Sequence, residues 1–522
     1  MSNTWDYIVV GGGHNGLSAA CTLAESKASV LVVEQLPFLG GLSASHAYVK
    51  AAPQHLLSLG AMDDMFMGQS TLAEDLRLPH YGYQGIKLEH PYGWMNEDGD
   101  TLLLFEDFER TVRDIQYFSP KDAVAYRELR PAIDFILDLQ DRYGVQQTSA
   151  MGKWDMAGLA LKLARNRSLR KALGRMYTAS VFEMISETFQ SDAMRGLWAF
   201  WTGMICPGDM DSTGLYMSAF GGVHRGGVRR PKGGMTGLMS AFANNLQDHG
   251  GEVRAGTAVE RIVVRDNRAT GVRLVDGSVL NARRGVLSSC APQLTLGKLL
   301  EPGTLDRQTS DKVKFIPANY LNAAAFKIDV AVGGPLSYPR AQAKRAQRDS
   351  ADIRKTTYMT GTLEDPMAQL DLLKLGSNVA VPPVYMAILS AADPSIAPPG
   401  QDVLYLNSTV PAVPSGGWDA RKAEYSATIR RSAKRFLSGL DAELGGVESS
   451  PADFESRFGT PRGCYFHVDM IPTRMGANRP APGLGGYTTP VEALFISGAG
   501  THPGGGVSGW PGRLAAQRAL KG

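Results

Sequence analysis

Three glycines near the start of the chain have the spacing that a bound dinucleotide requires. Gly11, Gly13 and Gly16 form a GxGxxG pattern directly after the apolar run 6–10. The first glycine permits a tight turn, the second lets the backbone approach a pyrophosphate, and the third lets the next helix pack on the strand. A second apolar run ends at Glu34, whose carboxylate can accept both hydroxyls of an adenosine ribose. The pattern predicts a β-α-β unit that holds a phosphate at the N-terminus of its helix.

Two further glycine stretches extend this site. Gly40-Gly41 resembles the second glycine pair of glutathione-reductase-type flavoproteins, which bind FAD rather than free NAD. Near the other end, a glycine-rich loop at 498–506 lies between a predicted strand at 493–497 and a predicted helix at 507–520. Strand, loop and helix again form an anion-binding geometry, which suits the negatively charged pyrimidine end of a reduced flavin. The alternative is a plain glycine hinge before a surface helix.

The candidate catalytic side chains are histidines and one aspartate. His467 and Asp469 lie two apart on a strand predicted at 464–469, so both side chains would face one side. Such a pair could act as a general base or orient a substrate; the alternative is a histidine that bonds to backbone and fills a domain interface. His55 follows the second glycine pair and could reach the flavin face, whereas His502, inside the C-terminal glycine loop, is expected to position the cofactor.

Two longer segments indicate how a substrate or a membrane could be contacted. Residues 194–220 are rich in Met, Trp, Phe and Tyr, which suits an apolar ligand cavity but equally the core of a helical domain. Residues 151–182 carry seven basic side chains against the single acid Asp155, with leucines between them. A basic amphipathic helix of this kind can dock on anionic lipid, and a solvated helix face is the usual alternative.

Composition argues against several other classes of protein. The 522 residues include 54 Lys and Arg against 51 Asp and Glu, and the net charge of +3 is too weak to argue for a nucleic-acid partner. The four cysteines are far apart and form no CxxC, which leaves a zinc site with paired ligands unsupported, and no metal is predicted. No second GxGxxG occurs, so we expect no separate NAD(P)H site. The strand at 6–10 and the two prolines within the long uncharged run 375–392 predict neither a signal peptide nor a membrane span, and hence a cytoplasmic protein.

Together these motifs resemble the phytoene desaturase-like branch of FAD-dependent oxidoreductases, of the carotenoid desaturase and pyridine nucleotide-disulfide oxidoreductase domain type. The resemblance is carried by motifs from end to end of the chain, at residues 11–20, 231–242, 393–401, 463–469 and 498–509. One departure is Ser289-Cys290-Ala291-Pro292, where relatives often have Asn-Ala-Asp-Pro.

The resemblance implies an α/β fold, with a glutathione-reductase-type Rossmann-like FAD domain and a discontinuous α+β substrate domain. Residues 1–75, 228–300 and 455–522 would form the FAD domain, and residues 76–227 and 301–454 the substrate or cap domain. It also implies the cofactor-binding residues Gly11, Gly13, His14, Asn15, Gly16, Glu34, Gly40, Gly41, Val259, Gly498, Gly505, Gly506, Val507 and Ser508. His467, Asp469 and His55 are the catalytic candidates.

The function implied is dehydrogenation or desaturation of a largely apolar small molecule by hydride transfer to FAD, although some relatives only isomerise a double bond. One alternative is an amine or amino-acid oxidase of the same superfamily. Another is a non-enzymatic prenyl or lipid carrier of the GDP-dissociation-inhibitor type, against which the intact glycines argue. The partners expected are an apolar substrate and an electron acceptor, dioxygen or a quinone, with no nucleic acid. Contact with a membrane surface through 151–182 is also expected.

Overall fold

Two seven-stranded sheets organise the chain, of which the computed structural model describes residues 3–141 and 152–522. The strands are β1 (Thr4–Val10), β2 (Val30–Val33), β3 (Ser45–His46), β4 (Leu57–Ser58), β5 (Gly85–Leu88), β6 (Tyr92–Met95), β7 (Thr101–Leu104), β8 (Val228–Pro231), β9 (Glu252–Arg254), β10 (Val259–Arg265), β11 (Arg268–Leu274), β12 (Val279–Ser288), β13 (Ala323–Val332), β14 (Thr357–Met359), β15 (Tyr385–Ile388), β16 (Asp402–Pro411), β17 (Glu443–Ser449) and β18 (Leu494–Ile496). The α-helices are α1 (His14–Glu25), α2 (Met65–Gly68), α3 (Leu72–Asp75), α4 (Phe108–Phe118), α5 (Pro120–Leu139), α6 (Lys153–Arg165), α7 (Arg167–Thr178), α8 (Val181–Thr188), α9 (Asp192–Ile205), α10 (Gly221–Arg225), α11 (Met235–Asp248), α12 (Pro292–Gly297), α13 (Arg307–Lys314), α14 (Pro339–Arg345), α15 (Glu364–Lys374), α16 (Leu389–Ala392), α17 (Trp418–Lys434), α18 (Pro451–Phe458) and α19 (Trp510–Leu520).

The first sheet has the order β10-β11-β12-β1-β2-β9, and β18 pairs with β12. β1 is parallel to β2 and β12, while β10 and β11 add an antiparallel edge. Because side chains alternate along a strand, Tyr7 and Val9 pack under α1, α11 and α19, and Ile8 and Val10 pack on the opposite layer. The predicted β-α-β unit is therefore confirmed, the strands β10, β11 and β12 form an antiparallel meander, and the fold is α/β with a Rossmann-like domain.

The second sheet has the order β17-β13-β16-β15-β14-β6-β7 and is antiparallel except between β14 and β6. One of its faces, with Ile328 and Leu404, packs under α17. The other face, with Tyr385 and Tyr405, packs against the helical region α4–α10. This second face is the one that matters for the site.

The helical region is held together by ordinary core packing and good caps. Ser119 caps α5 as predicted, since its hydroxyl accepts a hydrogen bond from the Asp122 amide at 3.1 Å. Within the aromatic segment 194–220, Met194, Trp198 and Phe200 are buried core residues. Of the helices in residues 3–141 and 152–522, none is long and apolar enough to span a bilayer.

Two predictions about secondary structure are wrong. Residues 464–469 form a turn-rich loop instead of a strand, and His467 there has a φ of +64°. The last helix begins at Trp510, after Gly509 in the left-handed region, and not at Val507. The predicted division of the chain into domains stays a prediction; three of its four boundaries lie outside the α-helices and strands, and the fourth, after residue 454, lies inside α18.

Candidate active site

The N-terminal glycine loop leaves an open slot beside Gly13. A Cβ built on Gly16 would overlap the carbonyl oxygen of Gly11, so Gly16 serves the packing of α1 on β1. A Cβ built on Gly13 would instead have the Gly40 carbonyl oxygen, at 3.9 Å, as its nearest neighbour. Gly41 faces the same opening, because its Cβ would lie 3.9 Å from the Gly13 Cα. The two predicted glycine motifs thus meet, and a side chain at Gly13 would fill the space that a pyrophosphate needs.

The N-terminus of α1 points its amides at this slot. Gly13 is the N-cap, and in the described part of the chain no side chain caps it and no acid lies in the first turn. The first-turn amides of His14, Asn15 and Gly16 therefore keep their donor capacity for an anion. Gly11, with a φ of +95°, makes the turn into the helix.

Glu34 lies at the end of β2, where the ribose is expected. Its carboxylate accepts hydrogen bonds from the amides of Gly12 at 2.6 Å and Leu36 at 2.8 Å. Each oxygen retains acceptor capacity for a hydroxyl. Burial raises the pKa of Glu34, and the backbone hydrogen bonds oppose that rise. Thr257 donates its amide to the Glu34 carbonyl oxygen at 2.8 Å, which brings the start of β10 at Val259 to the same strand end.

His14 joins the two glycine loops. Its Nε2 lies 3.1 Å from the carbonyl oxygen of Gly506, and its Nδ1 lies 3.1 Å from the Ser43 hydroxyl. Because a carbonyl oxygen can only accept, Nε2 carries the proton and Nδ1 accepts from Ser43. Burial lowers the pKa of His14 to about 4, so the ring is neutral at pH 7. The predicted N-terminal and C-terminal anchors are thus in direct contact.

The C-terminal loop is shaped by close neighbours on both sides. A Cβ on Gly505 would overlap the ring of Phe466, and one on Gly506 would overlap the ring of Phe66. A Cβ on Gly498 would overlap the carbonyl oxygen of Ser289. Val507 is buried in the core, and the Ser508 hydroxyl accepts from the Trp510 amide at 3.3 Å.

The structure separates the predicted His467 and Asp469 pair. The Asp469 carboxylate accepts from the amides of Asn319 at 2.6 Å and Tyr320 at 3.1 Å, and it braces that loop. Burial, with the charge of Arg479 and the nearby His14, lowers the pKa of His467 to about 3. A base with so low a pKa is a weak proton acceptor at pH 7. The prediction that His467 and Asp469 share one face of a strand is wrong. A catalytic role for His467 stays a prediction.

His55 lies on the loop between β3 and β4. It is 2% exposed, its amide donates to Ala52, and the next amide, of Leu56, donates to Ile396. Neither of its ring nitrogens has a hydrogen-bond partner among the residues the structure describes. A role for His55 at the flavin face stays a prediction.

Two residues of the site were missed or left unexplained by the sequence. Arg479 is fully buried and donates to backbone carbonyls of both halves of the site, including Phe466 at 3.0 Å and Ala499 at 2.8 Å. It holds the 464–469 loop against the C-terminal glycine loop. Ser289, in the departure from the family pattern, donates to the Gly11 carbonyl oxygen at 3.0 Å. Arg479 and Ser289 are both distant in sequence from the carbonyl groups that they bind, so no local pattern could have indicated these contacts.

A cavity of about 50 Å³ lies behind Phe466 and is also lined by Met204, Asn407 and Tyr465; we call it the chamber. Residues 203–207 of the aromatic segment 194–220 line the chamber, and Met204 is the one of these five that is Met, Trp, Phe or Tyr. Such a space holds only a few waters, so a substrate would have to displace the flexible Met204 side chain.

The register of the second sheet shows which other side chains share the chamber's face. Asn407 pairs with Tyr385 on β15 and with Lys327 on β13, and it lies two residues after Tyr405. Cross-strand partners and residues two apart point to the same side. Lys327 is 2% exposed, ion-paired to Asp329, and its Nζ lies 3.7 Å from the centre of the Tyr405 ring. Burial lowers the pKa of Lys327 and raises that of Asp329.

Comparison with known proteins agrees with this geometry. The family model of the NAD(P)-binding Rossmann-like domain matches residues 9–62, and that of flavin containing amine oxidoreductases matches residues 169–350. Rat pyridine nucleotide-disulfide oxidoreductase domain-containing protein 2 is 28% identical over 98% of this chain and 92% of its own. Phytoene desaturase (neurosporene-forming) of Rhodobacter capsulatus is 26% identical over 96% of this chain and 90% of its own. One of the limonene dehydrogenase subunits of Castellaniella defragrans is 24% identical over 96% of this chain and 91% of its own.

Solved structures share the fold. An oxidoreductase from Methanosarcina mazei has a TM-score of 0.62 at 17% identity, covering 99% of this chain and 100% of its own. Cyclohexylamine oxidase from Brevibacterium oxydans has a TM-score of 0.57 at 15% identity, covering 99% of both chains. The open slot at Gly13, the uncapped α1 amides and Glu34 fit FAD, and over nearly its whole length the chain is similar to phytoene desaturase-like FAD-dependent oxidoreductases.

Proposed function

We propose that this enzyme dehydrogenates or desaturates a largely apolar small molecule, and that the chamber is where the substrate lies. The relatives that act on such compounds by name are the phytoene desaturases and the limonene dehydrogenase. When bound, FAD supplies a two-electron acceptor for the hydride. The alternative of a non-enzymatic prenyl carrier is not kept, since the chain is a flavoenzyme.

The observation that carries the proposal is the aromatic wall between the C-terminal glycine loop and the second sheet. Phe466 lies on Gly505 and also lines the chamber. Tyr465 lines the chamber beside it. Tyr385 and Tyr405 pack against each other, with their ring centres 5.9 Å apart. Such a surface binds an apolar molecule by burial and excludes water from the reacting bond.

Lys327 gives this wall one group that can exchange a proton. It shares the chamber's face with Asn407, and burial makes its ammonium give up a proton more readily than an exposed lysine would. Removal of hydride from a C–H bond requires loss of a proton nearby, and Lys327, an ammonium paired with Asp329, can accept that proton only after it has given up its own.

The test is anaerobic reduction of the purified flavoprotein by candidate substrates. The loss of flavin absorbance monitors the reduction. Limonene and phytoene in detergent would be compared with cyclohexylamine and putrescine, each over a concentration series. Saturable bleaching by the hydrocarbons, and not by the amines, supports the proposal. Saturable bleaching by the amines alone would support the amine or amino-acid oxidase alternative, which the family model at 169–350 favours.

The electron acceptor and the membrane contact are also proposals. Dioxygen and a soluble quinone would be mixed in turn with the reduced protein, with peroxide counted for the first. We further propose that α6 and α7 dock on an anionic membrane surface. Trp154 is 90% exposed and Tyr177 is 64% exposed on these helices, among basic side chains.

A further inference from the structure

Arg230 is a buried arginine whose charge has no carboxylate partner within ion-pair distance among the described residues. It lies on β8, where its backbone pairs with Ile86 of β5, and it is only 3% exposed. Its Nη2 donates to the Thr357 hydroxyl at 2.9 Å. In the part of the chain that the structure describes, Nε and Nη1 have no hydrogen-bond partner, and no carboxylate lies within 4.0 Å.

The other two arginines buried this deeply in the described residues are fully engaged. Arg345 is ion-paired with Asp114 and Asp349. Arg479 donates at all three of its nitrogens to backbone carbonyl oxygens. Because an unpaired buried donor or charge costs free energy, a guanidinium with two empty nitrogens indicates an acceptor that comes from outside the chain.

The surroundings of Arg230 extend the aromatic wall of the chamber. Tyr92 packs on Trp201 at 4.8 Å between ring centres, and Trp201 lies 6.3 Å from Tyr385. Burial lowers the pKa of Arg230, and the charge of Asp63 opposes this, with Tyr385 and Tyr92 next in effect. Arg230 does not itself line the chamber; these contacts connect it through Tyr92 and Trp201 to Tyr385, which shares the chamber's face.

Among the described residues, Asp63 is the carboxylate whose charge acts most strongly on Arg230. It is half-buried and accepts a hydrogen bond from the Tyr92 hydroxyl at 2.8 Å. Burial raises its pKa, which weakens it as a permanent counter-ion. Asp63 does not come within ion-pair distance of Arg230, so Nε and Nη1 of Arg230 remain available.

We propose that Arg230 binds a carboxylate of the substrate, so that the substrate is an acid with an apolar body. The inference rests on the proposed function, because it deepens the chemistry of the same chamber. Thr357 fixes the orientation of the guanidinium, and the aromatic wall takes the apolar body. A charged hydrogen bond in such a site changes affinity roughly 10- to 150-fold.

The test is calorimetric titration of the flavin-loaded protein with benzoate, phenylacetate and octanoate, each against its neutral amide. We expect at least one acid to bind roughly tenfold or more tightly than its amide. Arg230→Gln should close that gap at unchanged FAD content. Arg229→Gln, which removes the same charge one position along the strand, should keep it.

Several results would overturn the inference. One is that no acid binds more tightly than its amide, and another is that Arg230→Gln leaves the preference intact. If Arg230→Gln does not fold, Arg230→Lys keeps a charge and should reduce the preference without abolishing it; an unaltered preference refutes the role. These readouts are equilibrium binding, so a missing substrate for flavin reduction would count against the proposed dehydrogenation alone.

Discussion

At the scale of single residues, Gly13 and Gly16 are glycines for different reasons. Gly16 is required by packing, because a Cβ there would overlap the Gly11 carbonyl oxygen. Gly13 has no such packing reason, because its Cβ position opens onto the slot with the Gly40 oxygen 3.9 Å away, and we expect the cofactor to require it. Substitution at Gly13 is therefore the cleaner probe of FAD binding.

We expect Gly13→Leu to lose at least nine-tenths of its FAD while keeping its fold. The leucine would occupy the pyrophosphate space without striking the backbone. The measurement is the ratio of flavin to protein absorbance, with circular dichroism for the fold. Gly158→Leu is the control, since Gly158 lies on α6, where a Cβ would meet no described atom within 4 Å. Full flavin occupancy in Gly13→Leu would show that the cofactor lies elsewhere.

His467 makes a prediction about acid stability. Its pKa is lowered to about 3 in the folded protein, against about 6.5 in the unfolded chain. A depressed folded pKa gives stability that is present above pH 6.5 and is lost as pH falls towards 3. Between pH 7 and pH 5 the loss from this one group is about 2 kcal/mol of the free energy of unfolding.

His467→Asn should therefore lose about 2 kcal/mol less than the parent over that interval. Asparagine cannot titrate and tolerates the φ of +64° found at this position. Urea unfolding at pH 7 and pH 5 measures the difference, with exposed His80→Asn as the control. An identical pH dependence in His467→Asn and the parent would contradict the buried, neutral histidine.

At the scale of elements, local patterns predicted what local chemistry determines. The β-α-β unit follows from apolar alternation and glycine spacing, and Ser119 caps α5 because Ser-Pro suits a helix start. The strand expected at 464–469 failed for a non-local reason. Its apolar residues are buried by the domain junction, and its carbonyls are satisfied by Arg479 rather than by a neighbouring strand. That partner cannot be inferred from alternation.

The helices α6 and α7 carry the membrane proposal, and the structure limits which residues serve it. Arg175 is already ion-paired with Glu183 and Glu187, two acids that follow the basic segment 151–182. Trp154 is the most exposed large apolar side chain of these helices. An indole that enters the lipid interface is a better anchor than one more surface charge.

We expect Trp154→Ser to weaken binding to phosphatidylserine-containing vesicles roughly 10-fold or more, from the loss of about 1.5–3 kcal/mol of apolar burial. Vesicle sedimentation measures it, at low and high salt. Val275→Ser is the matched control, because Val275 is 69% exposed but lies in the turn after β11, far along the chain from α6 and α7. Equal binding by parent and Trp154→Ser would refute docking through α6.

At the scale of the whole molecule, Lys327 links the second seven-stranded sheet to the two-stranded sheet β3-β4. It lies on β13 of the second sheet and donates to the Ser58 carbonyl oxygen of β4, as well as to Asp329. The apolar run of β13 is typical of a strand, but nothing in that run indicates that a lysine and an aspartate two apart would both be buried in it. Their burial becomes evident only when β4 closes over the strand.

The ion pair makes a non-additive prediction about stability. Lys327→Met leaves Asp329 buried without its cation, and Asp329→Leu leaves Lys327 without its anion, with side-chain exposures of 2% and 0% in the parent. Each single change should lower the free energy of unfolding by about 3–5 kcal/mol. In the double variant neither charge is left unpaired, so the loss should be well below the sum of the two, with a coupling of at least about 1 kcal/mol. Denaturant unfolding at fixed FAD concentration measures all four proteins, and flavin fluorescence reports whether β4 and the slot loosen in the singles. Strict additivity would mean that the two side chains contribute independently, and that the contact of β13 with β4 is held by the apolar core and not by this pair.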